Sequence, residues 1–228
     1  MLSLKQSEEV SGRAEATQRR LLHATEHLFA ASGFAGVTMR EVAQTARANV
    51  AAAHYHFGSK EGLVMEMLKR RIAPINAERF RMLDEAKKQA LGEPLEPTTI
   101  FEALLLPIVQ AATRGDGPDS KFMQLVGRSF TEPAHFLEKV HRRLFRELAA
   151  VFMSELRKSH PDAEEEDLFW NLHFVVATML GALAQHWRVT PFSGGICDDK
   201  DVEGMIRRLV RFAAGGFSAG IKRVETKA

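Results

Sequence analysis

Between Thr38 and Lys60 the chain sets hydroxyl, guanidinium, amide, imidazole and phenol groups at spacings that suit hydrogen bonding to phosphates and base edges. The run is Thr-Met-Arg-Glu-Val-Ala-Gln-Thr-Ala-Arg-Ala-Asn-Val-Ala-Ala-Ala-His-Tyr-His-Phe-Gly-Ser-Lys. Thr38 is an N-cap candidate, because its hydroxyl can accept an orphan N–H of a first helical turn. Glu41, three residues on, completes a capping-box pattern. Val42, Ala43 and Ala46 supply a thin apolar face for packing. Asn49 is a second N-cap candidate, opening a helix over Val50 to His56. Gly58 ends that helix, since glycine readily takes the left-handed conformation past a helix end. Ala51, Ala52 and Ala53 allow a close approach of backbone to another surface, from which His54, Tyr55, His56 and Lys60 can reach phosphates or base edges. Two short helices with a tight turn between them are how a chain presents a helix to the major groove of DNA. A buried helical hairpin with an aromatic plug is the competing reading, and the flanking pattern fits a helix-turn-helix better.

The elements that must hold this segment read as helix almost throughout, so the fold class is all-α. Alternation bounded by hairpin turns is missing. The expected helices are 14–32, 38–46, 50–56, 60–89, 98–114, 119–130, 133–159, 163–189 and 199–217. Loops fall at Gly92–Pro97, Arg114–Asp119 and Pro191–Asp199, where Gly and Pro cluster. Pro74 lies inside the fourth helix and is expected to kink or split it. Residues 1–13 read as a disordered arm, 14–60 as the helix-turn-helix domain, and 61–228 as a larger helical body.

Composition sets limits on the function. At 228 residues the chain has ample length for a core in one or two domains. A net charge of +2 means that DNA binding must rest on a local patch, not a global field. The single cysteine, Cys197, excludes an intrachain disulfide and suits a reducing cytoplasm. Met1 to Gly12 lacks the apolar segment of a signal peptide. The uncharged apolar stretch Phe174–Ala184 is short of the roughly 20 residues that span a bilayer. The expectation is a soluble cytoplasmic protein with no membrane partner. His23 and His27 stand four apart on a helix, a spacing that can bind metal, but no third ligand is near and surface histidines are the simpler reading. The acid run Glu164–Asp167 at a helix start is explained by the macrodipole. No phosphate loop, nucleophile elbow or paired-histidine zinc motif is found, so no catalytic residue, metal or cofactor is assigned.

The segment resembles the TetR (tetracycline-repressor) family of bacterial transcriptional regulators. The likeness extends upstream through Arg20-Leu21-Leu22-His23-Ala24-Thr25-Glu26-His27-Leu28-Phe29-Ala30-Ala31-Ser32-Gly33-Phe34, where Leu21, Leu22, Thr25, Leu28 and Phe29 share one helical face. Tyr55-His56-Phe57-Gly58-Ser59-Lys60-Glu61-Gly62-Leu63 is similar to the family's aromatic-His-Phe, Ser-Lys, acidic, Leu signature. Arg47 and Ala48 stand where the family usually has Gly then Val, so Arg47 is expected to meet a strained backbone. His54 stands where Tyr is common. The resemblance implies that Arg40 reaches a base edge or phosphate, with a bidentate preference for guanine. It implies that Thr38, Tyr55, His56 and Lys60 hold phosphates, and that Asn49, Val50, Ala51 and His54 face the groove. The form of the signature, with Ile72 to Arg79 after it, is similar to a fatty-acid-responsive branch.

The body carries many large apolar groups with a few polar ones between them, as in a pocket for a small lipophilic ligand. The lining candidates are Phe101, Leu105, Phe122, Met123, Arg128, His141, Phe145, Trp170 and Phe174; ordinary core is the competing reading for each. The ligand itself comes mainly from the resemblance, which implies release of DNA when a small hydrophobic molecule binds. Leu172, Val176, Leu180 and Leu183 form one late stripe, and Val202, Met205, Ile206 and Leu209 another. Two such hairpins from two subunits would make a four-helix bundle, giving a homodimer that matches a near-palindromic double-stranded DNA site. The expected function is a ligand-responsive repressor. The alternative is a DNA-binding regulator or scaffold with no small-molecule inducer.

Overall fold

The computed structural model describes residues 2–113, 125, 127–128 and 132–221. All of its regular elements are helices: α1 (Leu2–Gly36), α2 (Met39–Thr45), α3 (Val50–Phe57), α4 (Lys60–Gln89), α5 (Pro97–Thr113), α6 (Ala134–Leu144), α7 (Arg146–Ser159), α8 (Glu165–Gln185), the short α9 (Val189–Phe192) and α10 (Val202–Gly220). Residues 2–13, expected as a disordered arm, continue α1 towards the N-terminus; the stretch has no proline to stop a helix. α4 runs through Pro74 without ending. The helix expected over 119–130, with Phe122 and Met123, falls mainly outside the described residues.

Two long helices were expected to run further than they do. The span 133–159 divides at Phe145, whose φ of −126° and ψ of −11° leave the helical region. The Asn76 side-chain N–H₂ donates to the Leu144 carbonyl at 2.8 Å, so a tertiary donor serves the end of α6. The span 163–189 gives way at Gln185 to a tight turn, His186–Arg188, before α9.

The chain forms two compact units. The first comprises residues 1–72 with 128–137, so it continues past residue 60 into α4. The reason is apolar: Leu63, Val64 and Met67 of α4 are buried, as are Leu21, Leu22 and Phe29 of α1, Val42 of α2 and Ala53 of α3. The regular course of α1 breaks at Gly33, with φ 68° and ψ −174°. A Cβ there would also lie 2.4 Å from the Glu132 carboxylate, so both conformation and space call for glycine. Phe34 then stacks on the buried Phe136, with centroids 4.4 Å apart.

The second unit comprises residues 73–127 with 138–228. α5 packs against α10, α8 and α7. Ile100, Phe101, Leu105 and Val109 of α5 meet a core that includes Phe152 and Leu156 of α7, Val175 and Met179 of α8, and Val210 and Phe217 of α10. Phe101 and Phe217 meet edge to face at 5.1 Å. Each such side chain contributes about 1.5–3 kcal/mol of burial. The stretch Glu165–Phe192 is long and apolar enough, by length and composition, to cross a membrane, which the shorter span Phe174–Ala184 is not. Within it, Leu168, Val175, Met179 and Leu183 point into this core.

Candidate nucleic-acid interface

The α2–turn–α3 segment is held by local chemistry at each end. Thr38 is extended, and its hydroxyl accepts the Glu41 N–H at 3.2 Å while donating to the Glu41 carboxylate at 2.7 Å. The capping box therefore closes through side chains, and Glu41 is occupied by Thr38. At the other end of α2, Arg20 Nε donates to the Ala46 carbonyl at 3.2 Å, placing a cation on the helix C-terminus. Arg47 takes φ 50°, the left-handed turn conformation expected where glycine is usual. Asn49 is extended, and its Oδ1 accepts the Ala51 N–H at 2.9 Å to start α3. Gly58, at φ 71°, ends α3 and donates its N–H to His54.

Ala53 is fully buried and sets which side of α3 faces inward. That leaves Asn49, Val50, Ala51, His54 and Tyr55 exposed, with Arg40 exposed on α2. Tyr55 is 86% exposed, which is far outside the range of a packing tyrosine. Among the described residues its ring meets only an edge of His56. His54 Nδ1 lies 3.0 Å from the Gly58 carbonyl. That carbonyl requires the proton on Nδ1, so Nε2 is the nitrogen left to meet another surface. The outward group thus combines a short N-terminal turn, two aromatic rings and exposed Arg40 and Arg47.

Not all of the expected contacts are equally open. His56 is half-buried. Lys60 Nζ donates to the Phe34 carbonyl at 2.9 Å and stands 4.4 Å from the Phe34 ring centroid, so its ammonium already serves the first unit. Sequence reasoning missed the support beneath this corner. Arg128, expected in a ligand pocket, lies in the first unit and donates to the carbonyls of Ala30 and Ala31. Glu132 accepts the Phe34 N–H. The signal available was an Arg and a Glu four apart, which is too common to interpret.

The remaining ligand candidates among the described residues differ in exposure. Phe101 and Leu105 are buried in α5, Phe145 is half-buried, His141 is exposed, and Trp170 and Phe174 are each more than half exposed on α8. The dimer candidates Leu183 and Leu209 are buried within the second unit. Leu172, Val176, Leu180, Val202, Met205 and Ile206 are half-buried. Large apolar groups left outside include Phe169, Trp170 and Phe174 of α8, Phe212 of α10, and Trp187, Phe192 and Ile196 between those helices. Among the described residues no cluster of His, Cys, Asp and Glu could hold a metal ion.

Comparison with known proteins agrees with this geometry. Residues 21–67 match the profile of bacterial regulatory proteins of the tetR family. Residues 102–216 match the profile of the tetracyclin repressor-like C-terminal domain. No curated protein sequence matches the chain. Among solved structures, a protein of Shewanella sp. PV-4 assigned to the tetR family of transcription regulators is 12% identical. It superposes with a TM-score of 0.60 over 92% of this chain and 99% of its own. The fatty acid degradation regulator FadR from Bacillus halodurans is 11% identical, with a TM-score of 0.56 over 88% of this chain and 95% of its own. A tetR-family assignment from Mesorhizobium loti MAFF303099 is 16% identical, with a TM-score of 0.50 over 91% and 96%. At such identities the likeness establishes the fold.

Proposed function

This chain belongs to the TetR family of bacterial transcription regulators, which bind DNA and are not enzymes, and we propose that it is a ligand-responsive repressor acting in the cytoplasm as a homodimer on a near-palindromic operator. The observation that carries the DNA-reading part is the exposed face of α3. Asn49, Val50, Ala51, His54 and Tyr55 point outward from a helix that is capped at both ends. Val50 and Ala51 offer only apolar contact, suited to a thymine methyl, so hydrogen-bonded readout falls to Arg40, Asn49 and His54. Thr38 and Tyr55 supply phosphate contacts, joined by His56 and Lys60 where the groove brings DNA close enough.

Dimerisation is supported by the aromatic groups left outside on α8 and α10. Trp170 and Phe174 stack at 5.7 Å and are each more than half exposed among the described residues, and Phe212 is 67% exposed. Burying such groups against a second copy removes their contact with water and sets two reading heads at a fixed separation. A small hydrophobic effector then acts by stabilising a head separation that does not fit adjacent major grooves. The loss of DNA affinity equals its differential affinity for the two states. The name of the Bacillus halodurans neighbour, a fatty acid degradation regulator, favours hydrophobic acids as the first effectors to try.

The test is selection from a random DNA pool by the purified full-length protein at fixed physiological salt, with and without hydrophobic acids and acyl thioesters. One near-palindromic motif, released by a member of the panel, is the expected outcome. A motif that no compound disturbs moves the function to a regulator or scaffold without an inducer. Failure to select any motif overturns the proposal.

A further inference from the structure

We infer that His54 reads DNA with a fixed polarity: its Nε2 accepts a hydrogen bond and so selects a base that carries an exocyclic amine in the major groove, adenine or cytosine, against guanine and thymine. The inference rests on the DNA-reading role proposed above for α3.

The imidazole is pinned on one edge. Gly58 closes a ring with His54: the Gly58 N–H donates to the His54 carbonyl at 2.8 Å, and the His54 Nδ1–H donates to the Gly58 carbonyl at 3.0 Å. A Cβ on Gly58 would meet nothing within 4 Å, so it is the φ of 71° that calls for glycine there. The turn behind that carbonyl is itself held. The Ser59 N–H donates to the Phe57 carbonyl at 2.8 Å, and Ser59 Oγ accepts the Gly62 N–H at 3.1 Å. In a neutral imidazole one nitrogen donates and the other accepts. With the proton kept on Nδ1, Nε2 presents a lone pair from an exposed ring.

The neighbouring readers have the opposite polarity. Asn49 uses its Oδ1 to accept the Ala51 N–H at 2.9 Å, which leaves its amide N–H₂ to face outward as a donor. Arg40 on α2 can only donate. Val50 and Ala51 are apolar and exposed, and they stand four and three residues before His54, on its side of the helix. In the major groove adenine N6 and cytosine N4 are donors, whereas guanine O6 and thymine O4 are acceptors. A lone pair set against either of those oxygens, or against a phosphate oxygen, is repelled and leaves both acceptors unpaired. Adenine fits better than cytosine, because an A·T pair also presents a thymine methyl, which suits Val50 and Ala51.

The experiment is a coupling cycle with the full-length protein and the operator it selects, at one salt concentration and about pH 8.5, above the range in which imidazoles ordinarily titrate. Each adenine of one half-site is replaced in turn by purine, which lacks the 6-amino group, or by 7-deazaadenine, which keeps the amine and lacks N7. Each cytosine is replaced by 2-pyrimidinone, which lacks the 4-amino group. Affinities are measured for wild type, His54→Phe and His54→Lys. At one position, loss of the amine should weaken wild type by about three- to tenfold and cost His54→Phe nothing. Coupling through purine names adenine as the base read; coupling through 2-pyrimidinone names cytosine. 7-Deazaadenine should show no coupling to His54. His54→Lys, a donor with no acceptor, should shift the preference at that position towards guanine or thymine. His54 is exposed, so neither variant disturbs the core of the first unit; should His54→Phe fail to fold, His54→Lys completes the cycle. Amine deletions that cost wild type and variants equally at every position overturn the inference and leave α3 as the reading helix. So does coupling of His54 to N7, or only to phosphates neutralised as methylphosphonates. A protein that selects no operator overturns both.

Discussion

Both carboxylate oxygens of Glu132 accept the backbone N–H of Phe34, at 3.1 and 3.0 Å. The N–H needs this partner because Gly33 has just left the helix, so the ladder of α1 no longer supplies one. Glu132→Ala leaves a donor unpaired beside the stacked rings of Phe34 and Phe136. The expected loss is about 1–3 kcal/mol in urea denaturation. Glu132→Gln keeps one acceptor and should lose less. Equal losses for the two variants, or none, would show that water serves the Phe34 N–H as well as the carboxylate does.

Arg47 holds a left-handed conformation, φ 50°, with an exposed side chain. For a residue with a Cβ this costs about 1–2 kcal/mol. Glycine removes the strain but adds freedom to the unfolded chain, so Arg47→Gly should gain up to about 1 kcal/mol. The readout is a higher urea midpoint at unchanged slope. A lower midpoint would mean that the Arg47 side chain stabilises the turn by more than its backbone strains it.

Asp201 caps α10: it accepts the Gly204 N–H at 2.9 Å and lies 3.3 Å from Arg208. Both contacts hold its carboxyl below the ordinary value of 3.8, the backbone bond more than the arginine. A depressed carboxylate gives stability that is fully present above that ordinary value and is lost as pH falls through the folded-state value. The Tm gap between wild type and Asp201→Ala should therefore be constant around neutrality and narrow in acid. A gap that widens on acidification would contradict the cap.

Phe174 and Trp170 are exposed in the single chain, so charging one of them does not disturb the core of the second unit. Phe174→Glu should sediment as a monomer where wild type is a dimer, with unchanged helix content and weaker operator binding. A monomeric wild type, or a Phe174→Glu dimer of unchanged affinity, would place the subunit contact elsewhere or remove it.

What was legible in the sequence was local. Thr38, Asn49 and Gly58 do in the structure what their chemistry requires at helix ends, and Arg47 shows the strain expected of a non-glycine in that turn. What was not legible depended on distant partners. Glu132 and Phe34 are 98 residues apart. The break at Phe145 accompanies a bond from Asn76, and nothing in residues 133–159 announces it. α8 has two apolar stripes, and periodicity alone cannot say which one its own unit covers; Leu183 went inward while Trp170 and Phe174 stayed out. Arg79 sits among Glu78, Arg81 and Glu85 and reads as one more charge on a solvated helix, yet it is buried.

The most direct measurement is the ratio of affinities for the selected operator and for random DNA, at one stated salt concentration, for wild type, Arg40→Ala and Tyr55→Phe. Wild type should prefer the operator by about a thousandfold or more. Arg40→Ala should cut that ratio by about 1–3 kcal/mol if the guanidinium reads a guanine. Tyr55→Phe should weaken both affinities alike, as a phosphate contact does. A wild-type ratio near one, or a ratio that Arg40→Ala leaves unchanged while Tyr55→Phe alters it, would contradict the reading surface described for α2 and α3.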